Sequence, residues 1–282
     1  MKNLQASIQA KLLNLAKAEG KDFVLVSRLY MQEGVLRRIS LSRFAESFCL
    51  KGGLLLYSIS GFTSRPTQDI DLLGSNIPRE EDKIKDIMEK ILLIQVDDGL
   101  IFTTGKMVLR EITEGSEYQG QRLKVECKLG NIRTNLKLDI GFGDVIYPGP
   151  VQMDYPTLLK NNNFKITAYS LESVIAEKFE AMIVLDARNS RMKDFYDVYD
   201  LLTMTRIKTS SLSKAIKLTI QRRKTNIPKS PAIFQENFAN DPRNLQLWNA
   251  FLSRINADGI DFSLVIKTIR AKLEPIYREL RK

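Results

Sequence analysis

Lys51-Gly52-Gly53-Leu54-Leu55-Leu56-Tyr57 and Thr67-Gln68-Asp69-Ile70-Asp71-Leu72-Leu73, joined by a turn-rich stretch over residues 61–66, decide how this chain is read. In the second segment polar and apolar residues alternate, which is the period of a half-buried strand. Ile70 and Leu72 then face a buried layer. Asp69 and Asp71 share the opposite face, about 6.6–6.8 Å apart along the backbone, so both carboxylates can close on one cation or a close pair. The first segment opens a compact apolar helix with two glycines. Lacking Cβ, they let an anion approach the N–H groups of the helix start, where the helix dipole favours negative charge.

Taken singly, each segment has a bland explanation. A glycine pair is usually only a turn, and Asp-x-Asp is common at solvated strand ends. Their order, Gly-Gly, helix, loop, Asp-x-Asp strand, sets an anion-binding turn beside a cation site, as a nucleoside triphosphate requires. A third acid, Asp139, stands in Lys137-Leu138-Asp139-Ile140 on another alternating segment. Three acids in otherwise apolar strands would repel one another and cost several kcal/mol if unpaired. Magnesium resolves that, because it takes carboxylates together with substrate phosphates, and two such ions suit in-line displacement at phosphorus.

Working outward, the pattern predicts helices over 4–18, 22–38 and 79–95, and a short helix capped by Ser40 or Ser42 that includes Phe44 and Phe48. Strands are expected at 101–112, 121–129, 133–142 and near 164–168, with Pro148 and Pro150 punctuating the exit from the third. Ser170 reads as the N-cap of a helix to about 186, and another helix starts near Lys193. Residues 210–280 read as further helices split by Pro228, Pro231, Pro242 and the turn Asp258-Gly259. Glu177-Lys178 lies within the helix after Ser170. The basic cluster Arg188, Arg191, Lys193 precedes Asp194, Asp197 and Asp200, whose three-residue spacing keeps successive acids close on one helical face. Such acids can pair with the bases purely as structure. Equally, Lys178 or Arg191 can meet a triphosphate while one Asp orients the cation or the incoming hydroxyl.

The 282 residues include no histidine, which excludes a Ser-His-Asp triad, a Cys-His pair, a histidine base and a His-ligated zinc. Two cysteines, Cys49 and Cys127, are too few for a zinc knuckle or an iron–sulfur cluster and read as reduced core residues of a cytoplasmic protein. No apolar run approaches 18 residues, and the first twenty residues are amphipathic rather than signal-like, so no membrane partner is expected. Net charge is +10, and residues 203–282 carry it all, with 16 Lys/Arg against 6 Asp/Glu. That excess either solvates a helical face or attracts nucleic acid. Phe234, Phe238, Trp248, Phe251, Phe262 and Tyr277 could stack on bases, but helical spacing makes most of them core residues rather than platforms.

Four blocks now stand in order after Lys51-Gly52-Gly53: Arg65-Pro66-Thr67-Gln68-Asp69-Ile70-Asp71-Leu72, Lys137-Leu138-Asp139-Ile140, Ser170-Leu171-Glu172-Ser173-Val174-Ile175-Ala176-Glu177-Lys178-Phe179-Glu180-Ala181, and Asn189-Ser190-Arg191-Met192-Lys193-Asp194-Phe195-Tyr196-Asp197. Over roughly residues 40–203 the chain resembles the AbiEii/AbiGii family of nucleotidyltransferase toxins of abortive infection. The resemblance implies an α+β fold, a polymerase β-like nucleotidyltransferase core with a mixed sheet followed by a helical C-terminal region. Domains are accordingly expected at 1–168 and 169–282. It implies a Mg²⁺-dependent toxin of a toxin–antitoxin pair in phage defence, with a separate antitoxin protein. Such a toxin transfers nucleotides from an NTP to an RNA, a tRNA 3′ end, and blocks translation. By the same resemblance Asp69, Asp71 and Asp139 hold the metal, two ions being expected. Lys178 and Asp194 join them as catalytic residues, with Asp197 the alternative late acid. Lys51, Gly52, Gly53, Thr67, Lys178 and Arg191 bind the nucleotide. Leu54 departs from the pattern, since a small hydroxyl residue often follows the glycine pair. Binding of NTP or RNA without turnover, and transfer onto a protein hydroxyl, are the competing functions.

Overall fold

A computed structural model of the chain describes residues 2–112, 120–160, 163–257 and 259–281. Contacts divide the chain into two compact units, Met1–Gly143 with Pro150–Tyr169, and Asp144–Gly149 with Ser170–Lys282.

The first unit is built on a seven-stranded mixed sheet in the order β3-β4-β5-β2-β1-β7-β6. The aspartate strand β2 (Asp69–Gly74) lies at its centre, parallel to β5 (Ile132–Phe142) and antiparallel to β1 (Phe48–Lys51). β3 (Leu100–Ile112), β4 (Gly120–Leu129) and β5 form an antiparallel meander. On the far side β7 (Phe164–Ala168) runs parallel to β1, and β6 (Val151–Tyr155) closes that edge antiparallel to β7. Alternation decides the faces: Leu123, Val125, Cys127 and Leu129 of β4 are buried, as are Leu136, Leu138 and Ile140 of β5. Cys49 and Cys127 are both buried, neither is in a disulfide, and burial pushes the Cys127 thiol well above its ordinary range.

Four helices accompany the sheet: α1 (Lys2–Ala18), α2 (Phe23–Leu41), α3 (Gly52–Ser60) and α4 (Glu81–Leu92). Asp22 caps α2, its carboxylate accepting the Val24 and Leu25 N–H groups. α2 is buried almost all round, charged residues included. Arg38 donates to Asp98 at 2.5 and 3.0 Å and to the Gly34 carbonyl at 3.0 Å, and its guanidinium lies 4.8 Å from the Phe102 ring. Asp98 also accepts the Leu100 N–H at 3.0 Å, so the pair ties α2 to the start of the meander.

The second unit is helical: α5 (Leu171–Leu185), α6 (Met192–Met204), α7 (Thr209–Arg222), α8 (Pro242–Ile255) and α9 (Phe262–Leu280). The Ser170 hydroxyl accepts the Ser173 N–H as the N-cap of α5. Phe195, Phe238, Trp248 and Phe262 meet in one aromatic cluster, with Trp248 and Phe262 centroids 5.1 Å apart, and Trp248 Nε1 donates to the Ile260 carbonyl at 2.8 Å. These rings fill a core and offer no stacking platform. Among the described residues no helix is long and apolar enough to cross a membrane.

Three local expectations change. Residues 42–47 form turns rather than a helix, and Phe48 begins β1, because the short run Phe48-Cys49-Leu50 has no period of its own and takes its conformation from β2 and β7. Residues 151–155 form β6, an edge strand hidden in the sequence behind Pro148 and Pro150. Pro242 opens α8 at its first turn instead of merely dividing helices. The expected turn at Asp258 lies outside the described residues.

Replacing Asp98 with Asn leaves the buried Arg38 charge without its counter-ion, and the expected loss of stability is about 3–5 kcal/mol. Urea unfolding checks it: the midpoint falls with an unchanged slope, and an Arg38→Met/Asp98→Leu double variant recovers much of the loss.

Candidate active site

Register lines up four charges across the centre of the sheet. Lys51 pairs with Asp71, Asp71 with Asp139, and Asp139 with Arg122, so one row reads Lys51, Asp71, Asp139, Arg122 over β1, β2, β5 and β4. The next row on the same face holds Asp69, Lys137 and Lys124. Ile70, Leu72, Leu138 and Ile140 on the opposite face are buried. The period-two reading of both aspartate segments therefore holds.

Within the row each acid has its own surroundings. Asp139 is held bidentately, accepting from Arg122 Nε at 2.8 Å and Nη2 at 2.7 Å. Asp69 Oδ1 is buried and accepts no hydrogen bond among the described residues, with Lys137 Nζ 3.7 Å away. Asp71 lies against the start of α3: a Cβ added at Gly52 would fall 2.0 Å from Asp71 Oδ2. Gly52 also has φ of +66°, so both its backbone and its neighbour demand glycine. Gly53 is as crowded, since a Cβ there would lie 2.6 Å from the Thr67 hydroxyl. Lys51 extends over the Tyr169 ring, its Nζ 5.0 Å from the centroid. Leu54, where the hydroxyl is lacking, is fully buried in α3.

Magnesium is a hard cation that takes oxygen ligands. Asp69 and Asp71 fit it, for they share a face and Asp69 keeps a buried oxygen without a hydrogen bond. Asp139 is level with Asp71, but its carboxylate is committed to Arg122. Among the described residues no group of three or more His, Cys, Asp or Glu side chains is disposed to hold a metal ion. Arg122 is the residue that sequence reasoning missed. Its signal was present: counting outward in equal steps from the turn Gly130-Asn131 between β4 and β5 reaches Arg122 and Asp139 together.

In the helical unit, Lys178 of α5 contacts Asp194 at 2.8 Å and Asp197 at 2.7 Å on α6. Arg191 Nε lies 2.6 Å from the other oxygen of Asp194, a close ion contact without hydrogen-bond alignment. Asp194 and Asp197 are buried, Lys178 is nearly so, and Arg191 is half exposed. Burial pushes the Asp194 carboxyl up, but Lys178 and then Arg191 outweigh it and hold the group below the usual carboxylate range. Asp200 stands apart from these ion pairs, raised by burial and by Asp197. A second hub went unseen in the sequence: Arg223 gathers Asp144 at 3.0 Å, Glu177 at 3.4 Å and Glu180 at 2.9 Å, which binds the 144–149 segment to the helical unit. Burial works against the Arg223 charge, and these three carboxylates more than restore it.

The family model described as "Nucleotidyl transferase AbiEii toxin, Type IV TA system" matches residues 34–275. The chain belongs to that family. The match takes in the glycine pair, all three strand acids and the Lys178–Asp194 pair, and the protein is a nucleotidyltransferase. Among solved structures, the fold is similar to the MenT4 nucleotidyltransferase toxin of Mycobacterium tuberculosis, with a TM-score of 0.54, 14% identity and 99% of each chain covered. A nucleotidyltransferase-like structure from Helicobacter pylori gives a TM-score of 0.52 at 13% identity, covering 92% of this chain and 97% of that one. JHP933 from Helicobacter pylori gives 0.50 at 13% identity, with coverage of 92% and 94%. Comparison with curated protein sequences gives no match. The α+β fold expected of this family is thus the one observed.

Two substitutions test the geometry. Gly52→Ala should cost at least about 2 kcal/mol, from positive φ plus displacement of Asp71, whereas Gly20→Ala, also at positive φ but facing open space, should cost about 1 kcal/mol. Thermal unfolding of the two variants side by side makes the comparison. For Asp194, the lowered folded value means its stabilising contribution is complete above the unfolded carboxyl value of about 3.9 and fades as pH falls from there through the folded value. Asp194→Asn should cost about 3 kcal/mol at neutral pH and flatten the acid limb of a melting-temperature profile below about pH 4.

Proposed function

We propose that this AbiEii nucleotidyltransferase moves a nucleotidyl group from an NTP onto an RNA acceptor, the 3′ end of a tRNA. By that reaction it blocks translation, as the toxin partnered by a separate antitoxin protein in phage defence. The observation that carries this reading is the Asp69–Asp71 face set directly against the glycine start of α3. A negatively charged triphosphate finds backbone N–H groups and the positive end of a helix there, next to oxygen ligands for a hard cation.

In this reaction the acceptor hydroxyl oxygen forms a bond to the α-phosphorus. The bond from that phosphorus to the bridging oxygen breaks, pyrophosphate leaves with the electron pair, and the hydroxyl proton passes to solvent. Asp69 and Asp71 would hold Mg²⁺, two ions being expected, and the metal would supply neutralisation of phosphate charge and a lowered pKa for the acceptor hydroxyl. The chain's own residues orient and bind. Gly52 and Gly53 leave room for phosphate at the N–H groups, Thr67 packs on Gly53, and Lys51 brings a cation to the same row of the sheet. Asp139 serves as a further ligand only by exchanging its Arg122 partner. We assign Lys178 and Arg191 to phosphate charge and Asp194 to orienting both, since one buried carboxylate contacts the two cations. Charge stabilisation of this kind is the main catalytic lever in phosphoryl transfer, so the lack of histidine is no handicap.

Purified protein is to be incubated with total tRNA, Mg²⁺ and each α-labelled NTP in turn, beside Asp69→Asn/Asp71→Asn. Label moves onto RNA with the wild type, and the double variant transfers at least about 1,000-fold less. Label on protein in place of RNA, or no label from any NTP with a folded and toxic protein, overturns the reading.

A further inference from the structure

Between residues 201 and 233 the chain has eight Lys/Arg, no Asp or Glu, and no Phe, Tyr or Trp. α7 occupies the middle of that run. Leu212, Ala215, Ile216 and Ile220 are buried where α7 packs on α5. Ser210, Lys214, Lys217 and Gln221 are exposed and fall within an arc of about 60° at 100° per residue. Lys224, just past the helix, is exposed as well. Lys214 is steadied by the Tyr147 ring, its Nζ 4.9 Å from the centroid.

Of that run Arg223 is answered by carboxylates, but among the described residues none forms an ion pair with Lys214, Lys217 or Lys224. Asp144, Glu177 and Glu180 converge on Arg223, and Asp194 and Asp197 on Lys178. Asp241 and Asp261 are spent as helix caps. These carboxylates are spent on other partners, while Lys214 and Lys217 of α7 face solvent.

We infer that the outer face of α7 binds the phosphate backbone of a duplex stem in the RNA acceptor, a role that rests on the RNA-transfer reading above. Charge complementarity selects a polyanion. These 33 residues include no aromatic side chain, and the Tyr147 ring beside the face is already taken by Lys214, which selects the form of that polyanion. Proteins that grip unpaired strands stack bases on aromatic rings, whereas A-form stems are held through phosphates and 2′-hydroxyls. Lys214 and Lys217, about 4.5 Å apart along the helix axis, and Lys224 just beyond the helix supply the phosphate contacts. Ser210 and Gln221 on the same arc add uncharged donors that suit 2′-hydroxyls.

The test compares the wild type with Lys214→Gln/Lys217→Gln/Lys224→Gln on a hairpin RNA and on an unpaired oligouridine of equal length, without NTP, from 50 to 200 mM salt. The control Lys11→Gln/Lys17→Gln/Lys21→Gln removes equal charge from α1 and the turn that follows it. The wild type should prefer the hairpin, and the α7 variant should bind it at least about 10-fold more weakly at low salt. The slope of log K against log salt should shrink by about three, one per lysine, and the control should bind as the wild type does. Melting temperatures verify folding, and the single variant Lys217→Glu repeats the test with one change. Equal binding by the α7 variant, equal loss in the control, equal affinity for oligouridine, or no hairpin binding by the wild type each overturns the inference. Because no turnover is needed, hairpin binding lost in the α7 variant with no label transfer in any protein sinks the transfer reading and leaves this surface standing.

Discussion

Two carboxylates on neighbouring strands at the same register repel each other, and a half-buried sheet face gives little water to weaken the repulsion. Asp71 and Asp139 are in that position on β2 and β5. The row containing them ends in a cation on each side, Lys51 on β1 and Arg122 on β4, so the central sheet tolerates the acid pair by flanking it with positive charge. This constraint shapes the surroundings. It places a basic residue opposite Asp139 in the β4–β5 hairpin, and it makes the residue facing Asp71 at the start of α3 a glycine, because any Cβ would displace the carboxylate. Asp69, one row away, is left with a buried oxygen that accepts no hydrogen bond among the described residues. Their proximity is a cost to the fold, and the proposed role of these acids in nucleotidyl transfer would account for it.

The helical unit solves a related problem differently. Five of its acids are matched to a cation on another segment: Asp194 and Asp197 to Lys178 across α5 and α6, and Asp144, Glu177 and Glu180 to Arg223. Removing one member of such a set leaves a buried charge exposed to low dielectric, which is far more damaging than losing a surface pair. The same arrangement sets the outer field. With the acids satisfied inside, the lysines that remain outside dominate what an approaching molecule meets.

Much of this was legible in the sequence because it depends on local periods. Alternation at 69–73, 121–129 and 133–142 marked the strands and told which side of each would be wet, and the structure agrees. Ser170 announced its cap, and of the aromatic residues at helical spacing Phe238, Trp248, Phe262 and Tyr277 are core. The four ordered motif blocks led to the family that the match over residues 34–275 shows. Phe48-Cys49-Leu50 and residues 151–155 resisted because a strand of four or five residues has too little pattern to separate it from a turn or a helix.

The sequence by itself determined the types of element, the shared face of Asp69 and Asp71, the glycine pair before α3, and the concentration of positive charge in the last 80 residues. Each of these follows from side chains at fixed spacing along one segment. Only the tertiary structure decided that β2 runs parallel to β5 with Asp71 level with Asp139, that Arg122 holds Asp139, and that Lys178 lies between Asp194 and Asp197. Those are relations between segments far apart in the chain. They are set by strand register and by the cost of leaving a buried charge alone, and neither can be read from a single segment.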